Sequence, residues 1–427
     1  MKVLLLGSGG REHALAWALS QSPLCDILYI APGNPGTHTC GVNVALDALD
    51  FEQVLEFIGD KDIGLTVVGP EQPLVAGITD FLEAKGHAVF GPSTIASQLE
   101  GSKQFAKDFM ARHNIPTAAY KVFSGDYYAE ALAYVDAHNQ YPVVLKADGL
   151  AGGKGVLIPE NREELLAGLE ELRTGSLQDA AQTLVIEEFM PGEEASVFAL
   201  CDGEHFEIMG TAQDHKRQLD GDKGPNTGGM GAYSPSPLLA EDMLNSVSET
   251  IIAPTIAGMA AEGNPYKGFL YVGLMMTSAG PKVVEYNCRF GDPECQVVIP
   301  RLRSDLLTHL VQSTRGELLG EDIVFDQQYR TTVVLVSGGY PVSYDKGFPI
   351  FGLDELEKVE AVQVFHAGTK DQDGQLCTAG GRVLNVVGTG STLQESISMA
   401  YKGLESISFE GMFYRKDIGA KGLNHVS

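Results

Sequence analysis

The sequence predicts a multidomain chain built from α/β and α+β units, and three observations carry that prediction. Its 427 residues suffice for about three domains, and a hydrophobic share of 44% can bury a core in each. From residue 1 to about 95, short apolar strands alternate with helical patterns, the element order of a parallel sheet covered by helices. Beyond it, strands separated by turn signals run to about residue 325, and a last alternation of strands and helices closes the chain.

The N-terminal domain, residues 1–100, reads as the strand "KVLLLG", a helix through "REHALAWALSQ", "DILYIAP", a helix through "FEQVLEFIGD", "LTVVGPE", a helix in "ITDFLEAKG" and the strand "AVFGPS". The helical stretch "SQLEGSKQFAKDFMARHN" follows and ends before "IPTAAYKVF", because Pro116 restricts itself and the residue before it. Residues 101–325 form the second domain. Its segment from about 117 to 192 alternates "AAYKVF", the helix "DYYAEALAYVDAHN", "YPVVLKADG", a glycine turn, "GVLIPE", the helix "REELLAGLEEL" and "TLVIEEFM", which makes a compact α+β unit. "EEASVFALCDGEHFEIMGTAQDHKR" is expected to be a hairpin turning at Asp202-Gly203, and "QLDGDKGPNTGGMGAYSPSP" a long, turn-rich loop of the kind that is more often functional than idle. A helix around 240–262, the strands "GFLYVGLMMTSAG" and "PKVVEYNCRF", and the helix "RLRSDLLTHLVQSTRG" complete this domain. The C-terminal α/β domain, 326–427, holds "RTTVVLVSGGYP", "VQVFHAG", "GRVLNVVGTG" and the helix "LQESISMAYKGLESI".

Charge and composition narrow the function. With 56 acidic and 30 basic side chains the formal charge is -26, a field that opposes nucleic acid. Small anions remain admissible, since a few converging cations and backbone amides make a local positive site. No apolar run approaches the roughly 18 residues that cross a bilayer, and the N-terminus lacks a signal-peptide core. The cysteines Cys25, Cys40, Cys201, Cys288, Cys295 and Cys377 are scattered without a CxxC pair, which fits reduced thiols in a cytoplasm.

Four segments can carry chemistry. "GSGGREH" follows a strand and opens a helix, so its amides suit an anion, though a ligand-free tight turn is the alternative. Glu12 occupies the last glycine position of a dinucleotide fingerprint and the second strand ends in "YIAPG" without a ribose-binding acid, which argues against NAD. "VLKADGLAGGKGVLI" fails as a P-loop, with Asp148 at the first glycine position and Gly155 after Lys154; its glycines, including Gly152 and Gly153, can instead close a hairpin of amides over nucleotide phosphates that Lys146 reaches from the strand. Lys146 and Lys103 have the competing reading of solvated side chains. "VIEEFMPGEEASV" offers an apolar slot for a base and carboxylates for ribose hydroxyls, or simply an acidic loop after a strand. In "KVVEYNCRFGDPE", strand alternation puts Glu285, Asn287 and Arg289 on one face: two hard oxygen donors beside a guanidinium make a plausible magnesium-phosphate site, against the alternative of a polar strand face. No HExxH, GxSxG or Cys-His signature is present, so chemistry would rest on metal and positioning.

Together these segments resemble the ATP-grasp superfamily, and within it the phosphoribosylamine-glycine ligase family, also called glycinamide ribonucleotide synthetases. The resemblance runs through "GSGGREHALAW", "APGNPGT", "VVGPEQPLVAGI", "KADGLAGGKGV", "EEFMPGEEASV", "QDHKRQLDGDKGPNTGGMGAYSP", "EYNCRFGDPE" and "TAGGRVLNVVG". It implies an ATP-grasp domain with a mobile glycine-rich flap between an N-terminal parallel-sheet domain and a C-terminal α/β domain. It implies Lys103 and Lys146 on the ATP phosphates, Gly152 and Gly153 in the flap, Glu187 and Met190 at the adenine and Glu194 at the ribose. Glu285 and Asn287 match the metal positions for Mg2+ or Mn2+. Gly9, Gly10, Asp214, Arg289 and Pro293 fall in the segments around phosphoribosylamine and glycine, with Arg289, Lys146 and Asp214 in catalytic roles. The implied reaction joins glycine to 5-phosphoribosylamine through glycyl phosphate, in purine biosynthesis, by a cytoplasmic monomer without nucleic-acid or membrane partners. Two departures stand out: Cys295 follows "GDPE" where the pattern has threonine, and the strand "YVGLMM" adds no acid to the metal shell. The rivals are a bicarbonate-using carboxylase of the same superfamily, a non-catalytic nucleotide-binding regulator and an NAD dehydrogenase.

Overall fold

The computed structural model describes residues 1–150, 155–174, 182–318, 323–356 and 359–426. Five short strands open the chain: β1 (Lys2–Gly7), β2 (Ile27–Pro32), β3 (Val42–Asn43), β4 (Leu65–Val68) and β5 (Val89–Phe90). They form one parallel sheet in the order β3-β2-β1-β4-β5. Alternation along β1 divides its side chains between two cores. Leu4 and Leu6 join Val54 and Ile58 on one face, while Val3 and Leu5 join Ala14, Leu15 and Leu19 on the other. A strand buried on both faces reads as an unbroken apolar run, as "KVLLLG" does. The strand order reverses between β1 and β4, which opens a crevice beyond their carboxyl ends.

The next sheet is antiparallel, β6 (Tyr120–Ser124), β7 (Val143–Ala147), β8 (Val156–Leu157) and β9 (Thr183–Glu188), ordered β6-β9-β7-β8. Helices Tyr128–His138 and Arg162–Thr174 cover one face, burying Ala131, Leu165 and Leu169 against Leu145, Leu184 and Ile186. The expected continuous helix leading into this unit is broken at Ser102. That residue is extended, and its Oγ accepts the Phe105 N–H at 3.1 Å, so it caps a new helix Lys103–Arg112 after the short helix Gln98–Gly101.

The remaining strands are β10 (Glu193–Asp202), β11 (Phe206–Asp214), β12 (Arg217–Leu219), β13 (Lys223–Asn226), β14 (Gly231–Ser234), β15 (Lys267–Thr277), β16 (Gly280–Asn287), β17 (Tyr329–Val336), β18 (Val362–His366), β19 (Thr369–Gln372), β20 (Gln375–Thr378) and β21 (Arg382–Gly390). Eight of them make one antiparallel sheet, β16-β15-β10-β11-β14-β17-β21-β18. The stretch expected to be a loop therefore contains the hairpin β12-β13 and the fully buried strand β14, whose glycine- and proline-rich neighbours hide its pattern. β14 also joins the C-terminal strands to the sheet of the preceding unit, through Gly231–Ser234 against Arg330–Val333. Among the described residues no helix is long and apolar enough to cross a membrane, and all six cysteines are free.

Candidate active site

Lys146 lies near the end of β7, where the register Val144↔Glu187 and Lys146↔Val185 makes it a diagonal neighbour of Glu187 on the face away from the helices. Its Nζ is 2.9 Å from Glu187 Oε1 and donates to the Val284 carbonyl at 3.1 Å. Glu187 Oε2 takes a second lysine, Lys107, at 2.9 Å. Lys107 also donates to Thr117 Oγ1 at 2.8 Å, and that hydroxyl donates to the Val283 carbonyl at 2.6 Å. Glu187 and Lys107 are almost fully enclosed. Burial drags the Lys107 ammonium down to about 8 against the pull of Glu187; burial opposes the Glu187 charge too, but Lys146 and Lys107 overcome it and hold the carboxyl below its ordinary value. Lys103, one helical turn before Lys107, donates to the Gly149 carbonyl at 2.9 Å, at the flank of the glycine turn. Burial lowers its affinity for a proton despite nearby Glu285. Met190 is buried just past β9.

Opposite this wall, Glu194 at the start of β10 meets Lys216 Nζ at 2.6 Å, and the same ammonium lies 3.9 Å from Glu285 Oε1. Burial works against the Lys216 charge, yet Glu194, Asp214 and Glu285 together raise its pKa well above the ordinary lysine value. Asp214, at the end of β11, is pushed up by burial and by Glu194. Glu285 and Asn287 share a face at the end of β16. Among the described residues no group of three or more acidic, histidine or cysteine side chains could hold a metal. Two hard oxygen donors do fit an octahedral divalent cation that completes its shell with phosphate oxygens and water.

The third wall is carboxylate-rich. Arg289 Nε is 3.2 Å from Glu71 Oε2 and Nη2 is 2.8 Å from Glu100 Oε1. Burial alone would weaken that guanidinium, but Glu100 and Glu71 more than offset it. Arg289 and Arg11 in turn hold Glu71 down to about 2 against the effect of burial. Arg11 Nε is 2.6 Å from Glu12 Oε1, and both arginines donate to the Phe290 carbonyl at 3.2 Å. A cavity of about 650 Å³ opens here at the carboxyl ends of the N-terminal sheet, lined by Gly7, Gly9, Arg11, Pro70 and Asp292 among others. Arg382 from β21 stitches its far side, donating to the Gly228 carbonyl at 2.6 Å and the Asp292 carbonyl at 2.7 Å. Pro293 packs on Gly229, where φ is +115° and an added Cβ would sit 2.4 Å from the Pro293 ring, so only glycine serves. Next to it, Glu294 is buried beside Asp214; burial first and that charge second push its carboxyl up to about 8.

The structure thus gathers Lys103, Lys146, Glu187, Glu194, Asp214, Glu285, Asn287, Arg289 and Pro293 around adjoining walls, and Met190 is buried just past β9. Gly152 and Gly153 lie outside the described residues. The turn before the helix Gly10–Ser20 is already provided for internally. Gly9 N–H goes to Glu12 Oε2 at 2.7 Å, and Arg11 N–H to Asp292 Oδ2 at 3.4 Å. At Gly10 a Cβ would come within about 2.4–2.5 Å of the Gln296 and Asn385 side-chain amides, so a larger residue there would have to displace both. Sequence reasoning passed over Lys107, Lys216, Glu71, Glu100 and Arg382. Lys107 carried a signal, the four-residue spacing from Lys103 that places both on one helix face; Glu71, Glu100 and Arg382 come from distant elements and carried none.

Residues 1–100, 101–295 and 330–421 match, in order, the families described as phosphoribosylglycinamide synthetase N domain, ATP-grasp (A) domain and C domain. The chain belongs to the phosphoribosylglycinamide synthetase family. It is 50% identical over 428 residues to a phosphoribosylamine–glycine ligase of Yersinia pestis, covering 99% of each chain. It is 52% identical over 419 residues to one from Mesorhizobium japonicum, covering 98% of each. The crystal structure of phosphoribosylamine–glycine ligase from Thermotoga maritima superposes with a TM-score of 0.85 at 36% identity, over 98% of this chain and 100% of that one. The lysine wall of Lys103, Lys107, Lys146 and Glu187 falls inside the segment that matches the ATP-grasp (A) domain, whereas Arg11, Glu71 and Glu100 of the carboxylate-rich wall fall inside the segment that matches the N domain.

Proposed function

We propose that this chain is an ATP-dependent carbon-nitrogen ligase that joins glycine to 5-phosphoribosylamine, giving glycinamide ribonucleotide, ADP and phosphate in de novo purine biosynthesis. The observation that carries it is that the family match extends across all three parts of the chain, not over an ATP-grasp unit alone. A carboxylate is a poor electrophile. In our reading the glycine carboxylate oxygen attacks the γ-phosphorus of ATP and ADP leaves; the amine of phosphoribosylamine then attacks the glycyl phosphate carbonyl, and phosphate leaves with the oxygen it acquired.

The residue roles are part of the proposal. Lys103 and Lys146 would bind phosphates, with Gly152 and Gly153 closing over them. Glu187 and Met190 would border the adenine and Glu194 the ribose. Gly9, Gly10, Asp214, Arg289 and Pro293 would surround the acceptor and glycine, Arg289 and Lys146 supplying fixed charge to the transferring groups. A divalent cation, Mg2+ or Mn2+, held by Glu285 and Asn287 would offset phosphoryl charge. Supporting these roles, Lys146 and Glu187 are buried together and Lys103 reaches the flank of the glycine turn. Functional division near residues 100 and 325, a monomeric state and a cytoplasmic location complete the reading; light scattering that returns a mass well above the 45.7 kDa of one chain would remove the monomer.

Phosphate release is expected only when ATP, glycine and freshly generated phosphoribosylamine are all present, with bicarbonate without effect. Turnover that needed bicarbonate would replace this reading by a carboxylase. Oxygen-18 placed in the glycine carboxylate should appear in the released phosphate, and its absence there would remove the glycyl phosphate step.

A further inference from the structure

Glu100 sits in the short helix Gln98–Gly101, where the N-terminal unit hands over to the next, and its side chain is only 7% exposed. It takes donors from three consecutive residues, Asn287 at the end of β16 and Cys288 and Arg289 just past it. Oε2 accepts the Cys288 N–H at 2.7 Å and the Cys288 Sγ–H at 3.1 Å, and Oε1 accepts Arg289 Nη2 at 2.8 Å. The Asn287 side-chain amide also lies 2.8 Å from Oε1. A carboxylate paired with a guanidinium only accepts, so the atom facing it must be the Asn287 NH2 group. The same nitrogen lies 3.3 Å from the Tyr286 carbonyl, a second acceptor that enforces the same orientation. Asn287 Oδ1 is therefore turned away from Glu100. A cation binds the amide oxygen and not its NH2, so which way this amide faces decides whether position 287 is a ligand at all.

We propose that Glu100 is a positioning residue that makes Asn287 present oxygen to the divalent cation while anchoring Arg289 two residues on. The inference rests on the reading of Glu285 and Asn287 as cation ligands. It makes one carboxylate at the domain junction set two groups of the site at once. A glutamine at position 100 can offer one acceptor oxygen but not two, so it cannot serve the Cys288 N–H and the Asn287 and Arg289 donors together.

The test is Mn2+ binding to the full chain with ADP, read from the free Mn2+ signal in electron paramagnetic resonance, with thermal unfolding as a check on folding. Glu100→Gln is expected to weaken Mn2+ binding about 10–100-fold, the usual effect of losing a group that orients a metal ligand. Glu71→Gln removes the other carboxylate on Arg289 without touching Asn287 and should leave Mn2+ affinity within about twofold. In the Glu100→Gln background, Asn287→Asp should recover most of the loss, because the glutamine NH2 can donate to one aspartate oxygen and leave the other for the cation. Loss of packing alone would not be reversed in this way. Unchanged Mn2+ affinity in Glu100→Gln, or no recovery in the double variant, overturns the proposal while Glu285→Ala still loses Mn2+. If Glu285→Ala also keeps its Mn2+, the ligand reading falls and the proposal with it.

Discussion

Two of the three charged walls of the site solve opposite problems. On the lysine wall, where we propose the nucleotide phosphates bind, Lys107 and Lys146 share the single carboxylate of Glu187, and among the described residues Lys103 is held by a backbone carbonyl. On the carboxylate-rich wall, which we propose faces the acceptor, each arginine is tied to several acceptors: Arg289 to Glu71, Glu100 and the Phe290 carbonyl, Arg11 to Glu12 and the same carbonyl. Lysine is a point charge on a flexible stem and arginine a rigid fork, so the first wall can release a cation to an incoming anion and the second cannot. With Lys107 left behind on Glu187, Lys146 can turn to a phosphate without stranding a buried carboxylate. On the proposed roles, the difference makes the doubled lysine a means of exchange and the paired arginines a means of fixing shape.

The largest expected effect tests the exchange directly. Lys146→Met keeps the length and apolar stem of the side chain and removes the charge, and turnover with ATP should fall by about 10²–10³-fold, the range for losing a preorganised charge at a transition state. Because Lys107 still covers Glu187, the melting temperature should change little. Steady-state rates within tenfold of wild type would place Lys146 outside the reaction.

Lys107→Met sharpens the same contrast by a smaller amount. It leaves Glu187 with Lys146 alone, so each ATP that draws Lys146 away exposes an uncompensated buried charge. KM for ATP should rise about tenfold, equivalent to about 1.4 kcal/mol, with kcat much less affected. An equal fall in kcat at unchanged KM would mean that Lys107 acts on the chemical step.

The contrast also explains what could be read in the chain beforehand. Local periodicity carried the parallel sheet, because "KVLLLG" and "LTVVG" are buried on both faces and declare it in their own composition. The strand-end positions of Lys146, Glu285 and Asn287 were legible for the same reason, since alternation fixes a face without knowledge of the fold, whereas Arg289, expected on the same strand face, lies just beyond the end of β16. The β14 strand was not, because its own four residues, "GAYS", sit among glycines and prolines and owe their burial to β11 and β17 on either side. Glu71 and Glu100 were equally silent: isolated glutamates look like solvated surface, and only the folding of "EYNCRFGDPE" against two other elements turns them into partners of Arg289. Long-range pairing, and not the residues' own chemistry, separates the legible half of the site from the rest.

Glu294 supplies a stability test of the carboxylate-rich wall. Its folded-state pKa of about 8 lies above the ordinary glutamate value, so the folded protein holds this proton more tightly than the unfolded chain does. The resulting stabilisation is complete below about pH 4.5 and is lost as pH rises through about 8. Glu294→Gln stays neutral throughout. Denaturant titrations at pH 5 and pH 8.5 should show the variant gaining on wild type by about 1–3 kcal/mol at the higher pH. A constant difference across that range would mean that the carboxylate ionises freely and that Asp214 does not oppose it.

The smallest expected effect lies where the N-terminal unit touches β18, at the edge of the carboxylate-rich wall. His13 Nδ1 accepts the His366 N–H at 2.8 Å, and its ring meets Phe365 edge-on at 5.3 Å between centroids. Burial, with His366 second, lowers the His13 pKa to about 3, and burial lowers that of His366 to about 4. These folded-state values lie below the ordinary histidine value of about 6.5, so the unfolded chain takes up the protons first; the stability each contributes is present above about pH 6.5 and drains away as pH falls toward the folded values. A protonated His13 could no longer accept from His366, and the contact between the units would lose a hydrogen bond as well as gain a buried charge. His13→Gln retains an acceptor and cannot titrate. Between pH 7 and pH 5, above the range where carboxylates take up most of their protons, wild type should lose about 1 kcal/mol more stability than His13→Gln. Parallel curves for the two proteins would show that the ring can be protonated in place and that this contact yields readily to acid.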